Sequence, residues 1–287
     1  VKVLFVKYNR ERKPKFQIET KIGLQGDSLV VTKRALTPEA LEHIKTIYDN
    51  FLMLRRRCRG VSISTATLHE GEVVLEFIRG KSLEGFLIDA VLRRNREEFF
   101  VLLDRYVNFL KMFEMGKGDA PPRNDRLLEV FGRPLENQDI RAPCMANLDL
   151  TFDNIIIDAE GNYRIIDYEW VFEFALPMEF LIYRSVKRFN FKYREYLEAF
   201  VALPEILAHV NIDVGSREAF DKMEEGFQEY VYGKYGRDRV YFIPASYQRG
   251  IAKGADDQGP RDKDERRSGW PLRAWRRLIG ARRNLGN

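Results

Sequence analysis

Two short apolar runs, Ile155-Ile156-Ile157 and Tyr163-Arg164-Ile165-Ile166, flank the turn Glu160-Gly161-Asn162, and this arrangement constrains the chain more than any other feature. Runs this short, separated by turn chemistry, predict a β-hairpin rather than helices. A hairpin sets its strands side by side. Asn154, which enters the first strand, and Asp167, which leaves the second, then lie at the same end. Asp149 stands on the polar loop leading into Asn154. Any one of these residues alone would signify no more than turn capping. Together they bring three oxygen-bearing side chains to one point.

That set suits phosphoryl transfer from a nucleotide. Asp167 and Asn154 can offer hard oxygen ligands to Mg²⁺ bridging the phosphates. Asp149 can orient an acceptor hydroxyl and take its proton.

The rest of the chain divides in two. Phe5–Tyr8, Phe16–Ile22, Leu29–Lys33, Ile63–Leu68 and Val73–Phe77 read as strands. One helix is inserted among them, opened by Thr37-Pro38-Glu39 and apolar at Leu41, Ile44, Ile47, Tyr48, Phe51 and Leu54. From Ser82 onward the pattern turns helical, with predicted helices from Ser82 to about Arg93, Glu97–Phe113, Ala175–Phe189, Tyr193–Val201 and Ser216–Tyr235. The fold class is therefore α+β, strand-rich first and helix-rich after.

Charge narrows the function classes. The formal net charge is +5, but residues 261–283 hold nine Lys and Arg against three acids, so the remainder is close to neutral. Nucleic-acid binding by the body is disfavoured on that ground. The two cysteines, Cys58 and Cys144, are too few for a disulfide framework and read as packing or surface residues, pointing to a reducing, cytoplasmic setting. His43, His69 and His209 are well separated and read the same way. No apolar stretch approaches a membrane-spanning length.

The segment Asn147-Leu148-Asp149-Leu150-Thr151-Phe152-Asp153-Asn154, with Ile166-Asp167-Tyr168-Glu169-Trp170 after the hairpin, resembles the catalytic and metal-binding loops of the protein-kinase and aminoglycoside-phosphotransferase superfamily. The resemblance implies a bilobal kinase-like fold, with an N-lobe over 1–79, a C-lobe over 80–250 and a basic tail over 251–287. It implies ATP and Mg²⁺ as cofactors, Asp149 as the catalytic base, and Asn154 and Asp167 as metal ligands. Ile-Asp-Tyr-Glu is closer to the small-molecule kinases of that superfamily than to protein kinases. Asn147 replaces the superfamily's loop histidine, which puts activity in question.

Further roles follow from the same resemblance. Lys33 matches the lysine that contacts the nucleotide phosphates. Its ion-pair partner is expected at Glu39, with Glu42 as the alternative. Glu76 and Ile78 would meet the adenine edge through their backbone at a hinge turned by Gly80. The loop over the phosphates lacks glycine, so Arg12 and Lys13 would supply charge there; the alternative is a plain solvated turn.

Together with Phe5-Val6-Lys7-Tyr8-Asn9, Phe16-Gln17-Ile18-Glu19-Thr20 and the helix start Glu39-Ala40-Leu41-Glu42-His43-Ile44, these motifs resemble the kinase-like domain of bacterial lipopolysaccharide and O-antigen modifying proteins over about residues 3–245. That family implies a sugar or glycan acceptor and a fused or associated methyltransferase or glycosyltransferase. The strand-first start without Met fits a domain cut from a longer chain, or one working beside a separate transferase. Leu272, Trp275, Leu278 and Ile279, with the neighbouring arginines, read as a short interfacial helix over 270–283 suited to an anionic membrane at the cytoplasmic face of the inner membrane. A nucleotide- or partner-binding module without catalysis is the competing reading.

Overall fold

The computed structural model describes residues 2–58, 60–113, 125–133 and 145–234. The expected tail, its interfacial helix and Cys144 lie outside the described residues.

Alternating β-branched and polar residues pair as expected at the start of the chain. Strands β1 (Lys2–Tyr8), β2 (Ile18–Gln25) and β3 (Ser28–Ala35) form an antiparallel meander. Helix α1 (Leu41–Arg57) follows, then β4 (Ser62–Ile63), β5 (Ala66–His69) and β6 (Glu72–Glu76). The sheet order is β1-β2-β3-β6-β5. Ile44, Ile47, Phe51 and Leu54 of α1 are buried, joining Ile18, Val73 and Leu75 in the core. Burying each such side chain contributes about 1.5–3 kcal/mol. Leu41, expected on the apolar face, is exposed, while His43 and Asn50 are buried.

The strand expected over Ile63–Leu68 is two strands. β4 leaves the first sheet and pairs in parallel with β10 (Tyr163–Ile165) of the hairpin. The second sheet has the order β4-β10-β9-β7, with β7 at Lys81–Ser82 and β9 at Ile155–Ile157. Residues just before β5 and just after β6 therefore hold the hairpin edges.

Helix α2 (Leu83–Leu92) is capped by Ser82, whose Oγ accepts from the Gly85 N–H at 3.1 Å. Helices α3 (Arg96–Lys111) and α4 (Asp125–Phe131) precede β8 (Ala146–Asn147), which pairs with β11 (Val171–Phe172). Then come α5 (Met178–Lys192), α6 (Arg194–Leu197), α7 (Leu203–His209) and α8 (Ser216–Tyr232). No described helix is long and apolar enough to cross a membrane. Cys58, at the end of α1, is buried and disulfide-bonded, not the simple packing or surface thiol expected. The cysteine count therefore no longer argues for a reducing setting.

Candidate active site

The hairpin forms as its sequence requires. Ile157, Ile156 and Ile155 face Tyr163, Arg164 and Ile165. Gly161 takes φ +84° at the turn, and Asp158 Oδ1 accepts from the Asn162 N–H at 2.8 Å. At the other end the Ile166 N–H donates to the Asn154 carbonyl at 3.1 Å. Asn154 and Asp167 thus emerge at the same end.

The loop before the hairpin is held from three directions. Leu148 donates to the Trp170 carbonyl at 2.9 Å. The Leu148 carbonyl accepts from Arg184 Nε at 3.1 Å, and the Leu150 carbonyl accepts from the Tyr106 hydroxyl at 2.7 Å and Ser185 Oγ at 3.2 Å. The Asp149 carbonyl accepts from Asn154 Nδ2 at 3.1 Å. Asn147, in the place of the resemblance's histidine, accepts from the Asp149 N–H at 2.9 Å through its side chain. Tyr106, Arg184 and Ser185 were not singled out from the sequence. They come from α3 and α5, and no local motif marks them.

Asp149 is fixed by the backbone beyond the hairpin, its Oδ2 accepting from the Trp170 N–H at 2.7 Å. Burial, then repulsion from Asp167 and Glu169, pushes its carboxyl up to about 7, against the Trp170 hydrogen bond and Lys33. A carboxyl poised there can accept a proton near neutral pH.

Lys33 Nζ lies 2.7 Å from Asp167 Oδ1 and 3.3 Å from Glu169 Oε2. Burial alone would lower its ammonium, but Asp167 and Glu169 outweigh it and hold it above its ordinary range. Glu39 does not supply the expected partner. It sits in the 3₁₀ turn Pro38–Ala40, exposed, and Glu42 is exposed as well. The inward position on α1 belongs to His43, whose Nε2 lies 2.8 Å from Glu169 Oε1. Glu169 is therefore the junction of the site. Arg12 also pairs with its Oε1, and Asn50 Nδ2 donates to the carbonyls of Tyr168 at 2.9 Å and Glu169 at 3.2 Å. Burial would raise the Glu169 carboxyl, but Arg12, then Lys33 and His43, hold it well below its ordinary range.

The basic loop is neither a solvated turn nor a free phosphate cover. Arg12 is committed to Glu169 and lies over the Trp170 ring at 5.5 Å. Lys13 donates its N–H to the Val231 carbonyl at 2.9 Å and holds its ammonium over Tyr230. Phe16 anchors the turn, buried against His43, Trp170 and Tyr230. Arg12 thus borders the site, and Lys13 stands apart from it.

At the hinge, the Glu76 carboxylate accepts from the Thr65 N–H at 3.1 Å and lies 3.6 Å from Arg164. Ile78 is buried, and no hydrogen bond to its backbone occurs among the described residues. A Cβ on Gly80 would stand 2.3 Å from the Ile157 carbonyl oxygen, so only glycine fits where this segment passes the hairpin.

The donor set fits a divalent cation. Asn154 Nδ2 donates to the Asp149 carbonyl and to Thr151 Oγ1, and no described residue bonds its Oδ1. Asp167 Oδ1 meets Lys33, and no described residue bonds its Oδ2. Two hard oxygens are left open at the hairpin's end.

No protein-family model matches the chain, and no curated protein is similar to it. Among solved structures, the streptomycin–ATP complex of APH(2")-IIa is similar at 10% identity and a TM-score of 0.45, over 78% of this chain and 82% of that one. Choline kinase LicA from Streptococcus pneumoniae is similar at 14% identity and 0.43, over 84% and 92%. Macrolide 2'-phosphotransferase MphH from Brachybacterium faecium is similar at 10% identity and 0.38, over 87% and 93%.

Proposed function

We propose that this chain is an ATP- and Mg²⁺-dependent phosphotransferase acting on the hydroxyl of a sugar or other small acceptor. The observation that carries the reading is Asp149. It is a carboxylate fixed by the Trp170 N–H, pushed up to about 7, and tied through the hairpin to the open oxygens of Asn154 and Asp167. Asp149 orients the acceptor O–H and receives its proton as the oxygen attacks the γ-phosphorus. The new O–P bond forms as the bond to the β-phosphate oxygen breaks, and ADP departs with that electron pair. Asn154 Oδ1 and Asp167 would hold Mg²⁺, which neutralises charge on the phosphates. Lys33 gives the phosphates a cation, with Glu169 holding the ammonium in place. The backbone of Ile78 is open to the adenine edge. The finer context, a glycan acceptor in bacterial surface-polysaccharide assembly, rests on the sequence motifs alone.

The test is Mg·ATP binding by calorimetry, followed by phosphoryl transfer to a panel of sugars. Wild type should bind and turn over, and Asp149→Asn should bind while losing about 10²–10⁴-fold in rate. Wild type that does not bind Mg·ATP sinks the proposal. Binding without transfer to any acceptor supports the competing reading of a non-catalytic module.

A further inference from the structure

One face of the site carries cations that the phosphotransfer reading leaves unused. Lys7 of β1 is in register with Thr20 of β2, and Thr20 with Lys33 of β3. Residues directly opposite on neighbouring strands project to the same side, so Lys7 shares the face from which Lys33 reaches Asp167, two strand spacings or about 10 Å away. Unlike Lys33, Lys7 is exposed, and it forms no ion pair among the described residues. Surrounding protein, then Arg12 and more weakly Arg188, lower the Lys7 ammonium, whereas Glu169 and Glu11 oppose them.

Arg188 comes from helix α5. It lies one helical turn after Arg184 on α5, and Arg184 binds the Leu148 carbonyl, so this face of the helix looks onto the Asp149 loop. Its Nη2 is 3.9 Å from Asp153 Oδ2, with half of its side chain in solvent. A pair so long and exposed is worth at most about 1 kcal/mol, although, against the effect of burial, Asp153, then Glu224, Tyr232 and Asp149, together raise the guanidinium. Asp153 has a closer partner of its own in the Thr151 hydroxyl, at 2.6 Å.

We propose that Arg188 and Lys7 form an anion-binding subsite beside Asp149, which takes a carboxylate or phosphate carried by the acceptor. The inference rests on the phosphotransferase reading and names its substrate class: an anionic sugar or similar hydroxyl compound. A planar guanidinium suits both oxyanions through paired N–H donors. Arg188 stands on α5 against the loop that carries Asp149, the proposed base for the acceptor, and this assigns the subsite to the acceptor side. The same cations offset the repulsion that Asp149, Asp167 and Glu169 exert on an incoming anion.

The experiment uses the full chain saturated with Mg·AMP-PNP, titrated with glucose, glucuronate and glucose 6-phosphate. Glucuronate and glucose 6-phosphate report the carboxylate and phosphate forms separately. At least one anionic sugar should bind at least about tenfold more tightly than glucose, a difference of about 1.4 kcal/mol. Arg188→Gln and Lys7→Gln should each remove that preference, and Arg188→Lys should restore part of it. Equal binding of neutral and anionic sugars by wild type overturns the proposal. So does no binding of either anion, or undiminished preference in a folded Arg188→Gln variant. Failure of wild type to bind Mg·AMP-PNP is a separate result against the phosphotransferase reading; the sugars are then titrated without nucleotide, and the same criteria apply.

Discussion

Replacing Asp149 by asparagine should stabilise the protein while slowing the proposed phosphoryl transfer, and the gain should depend on pH in a defined way. In the folded chain the Asp149 carboxyl is raised from its ordinary 3.8 to about 7, chiefly by burial and then by Asp167 and Glu169. Below pH 3.8 the group is protonated folded and unfolded, and it costs nothing. As pH rises from there to 7, the unfolded chain ionises while the folded one resists, so stability falls by about 1.4 kcal/mol per pH unit. Above pH 7 the loss levels off at roughly 4 kcal/mol. Asparagine carries no such titration, and its side-chain oxygen can still accept from the Trp170 N–H.

Any constant difference between aspartic acid and asparagine cancels when one pH is compared with another. From pH 5 to pH 8 the variant should therefore gain on wild type by roughly 3 kcal/mol. Urea unfolding of both proteins at pH 5, 6, 7 and 8, with the two stability curves subtracted, measures this directly. A difference that stays flat across the series would refute the reasoning, because it would mean Asp149 ionises in the fold as freely as in water. A difference that shrinks toward pH 8 would reverse its sign.

Other substitutions test the junction around it. Lys33→Met leaves Asp167 and Glu169 facing one another without their shared ammonium, and should cost about 3–5 kcal/mol in thermal or urea unfolding at pH 7. Glu169→Gln should flatten the acid side of the stability profile: the depressed Glu169 carboxyl contributes stability present above its ordinary 4.5 and lost as pH falls through its folded value. Gly80→Ala forces a Cβ to 2.3 Å from the Ile157 carbonyl oxygen and should lower the melting temperature by several degrees, with weaker Mg·ATP binding measured by calorimetry.

Local patterning made the hairpin end readable because it needs only two apolar runs and a turn. Asp149 and Asn154 are positioned by short-range hydrogen bonds, the longest spanning Asp149 to Trp170, and Asp167 follows from the hairpin before it meets the distant Lys33. The partner of Lys33 was not readable in this way. The family resemblance put that partner at Glu39, near the helix start at Thr37-Pro38, but the start is a 3₁₀ turn with Glu39 exposed, and His43 takes the buried side. A signal for Glu169 was present: it is an acid only two residues after Asp167. Arg12 was obscured because a run of basic residues reads as solvated. Phe16, packed against Trp170 and Tyr230, helps to pull that loop inward. Tyr106, Arg184 and Ser185 depend on helix packing that no local pattern specifies.

Glu169 changes what the cation at Lys33 has to be. A partner on α1 would make the ammonium's position depend on where that helix sits relative to the sheet. Here the carboxylate lies two residues from Asp167, on the same short segment, so Lys33 is referred to the proposed metal ligand itself. Helix α1 reaches Glu169 through His43 and Asn50, which hold its carboxylate and backbone rather than Lys33. A shift of α1 would therefore act on the site by moving Glu169, with Asp167 and Lys33 following together. Asn50→Leu removes the donor to both the Tyr168 and Glu169 carbonyls without touching a charge. Two carbonyls left unpaired should cost about 2–6 kcal/mol. If the coupling runs as drawn, Mg·ATP affinity should also fall in the folded variant, although Asn50 reaches neither nucleotide nor metal. Unchanged affinity in a destabilised Asn50→Leu protein would show that Lys33 and Asp167 keep their geometry without help from α1.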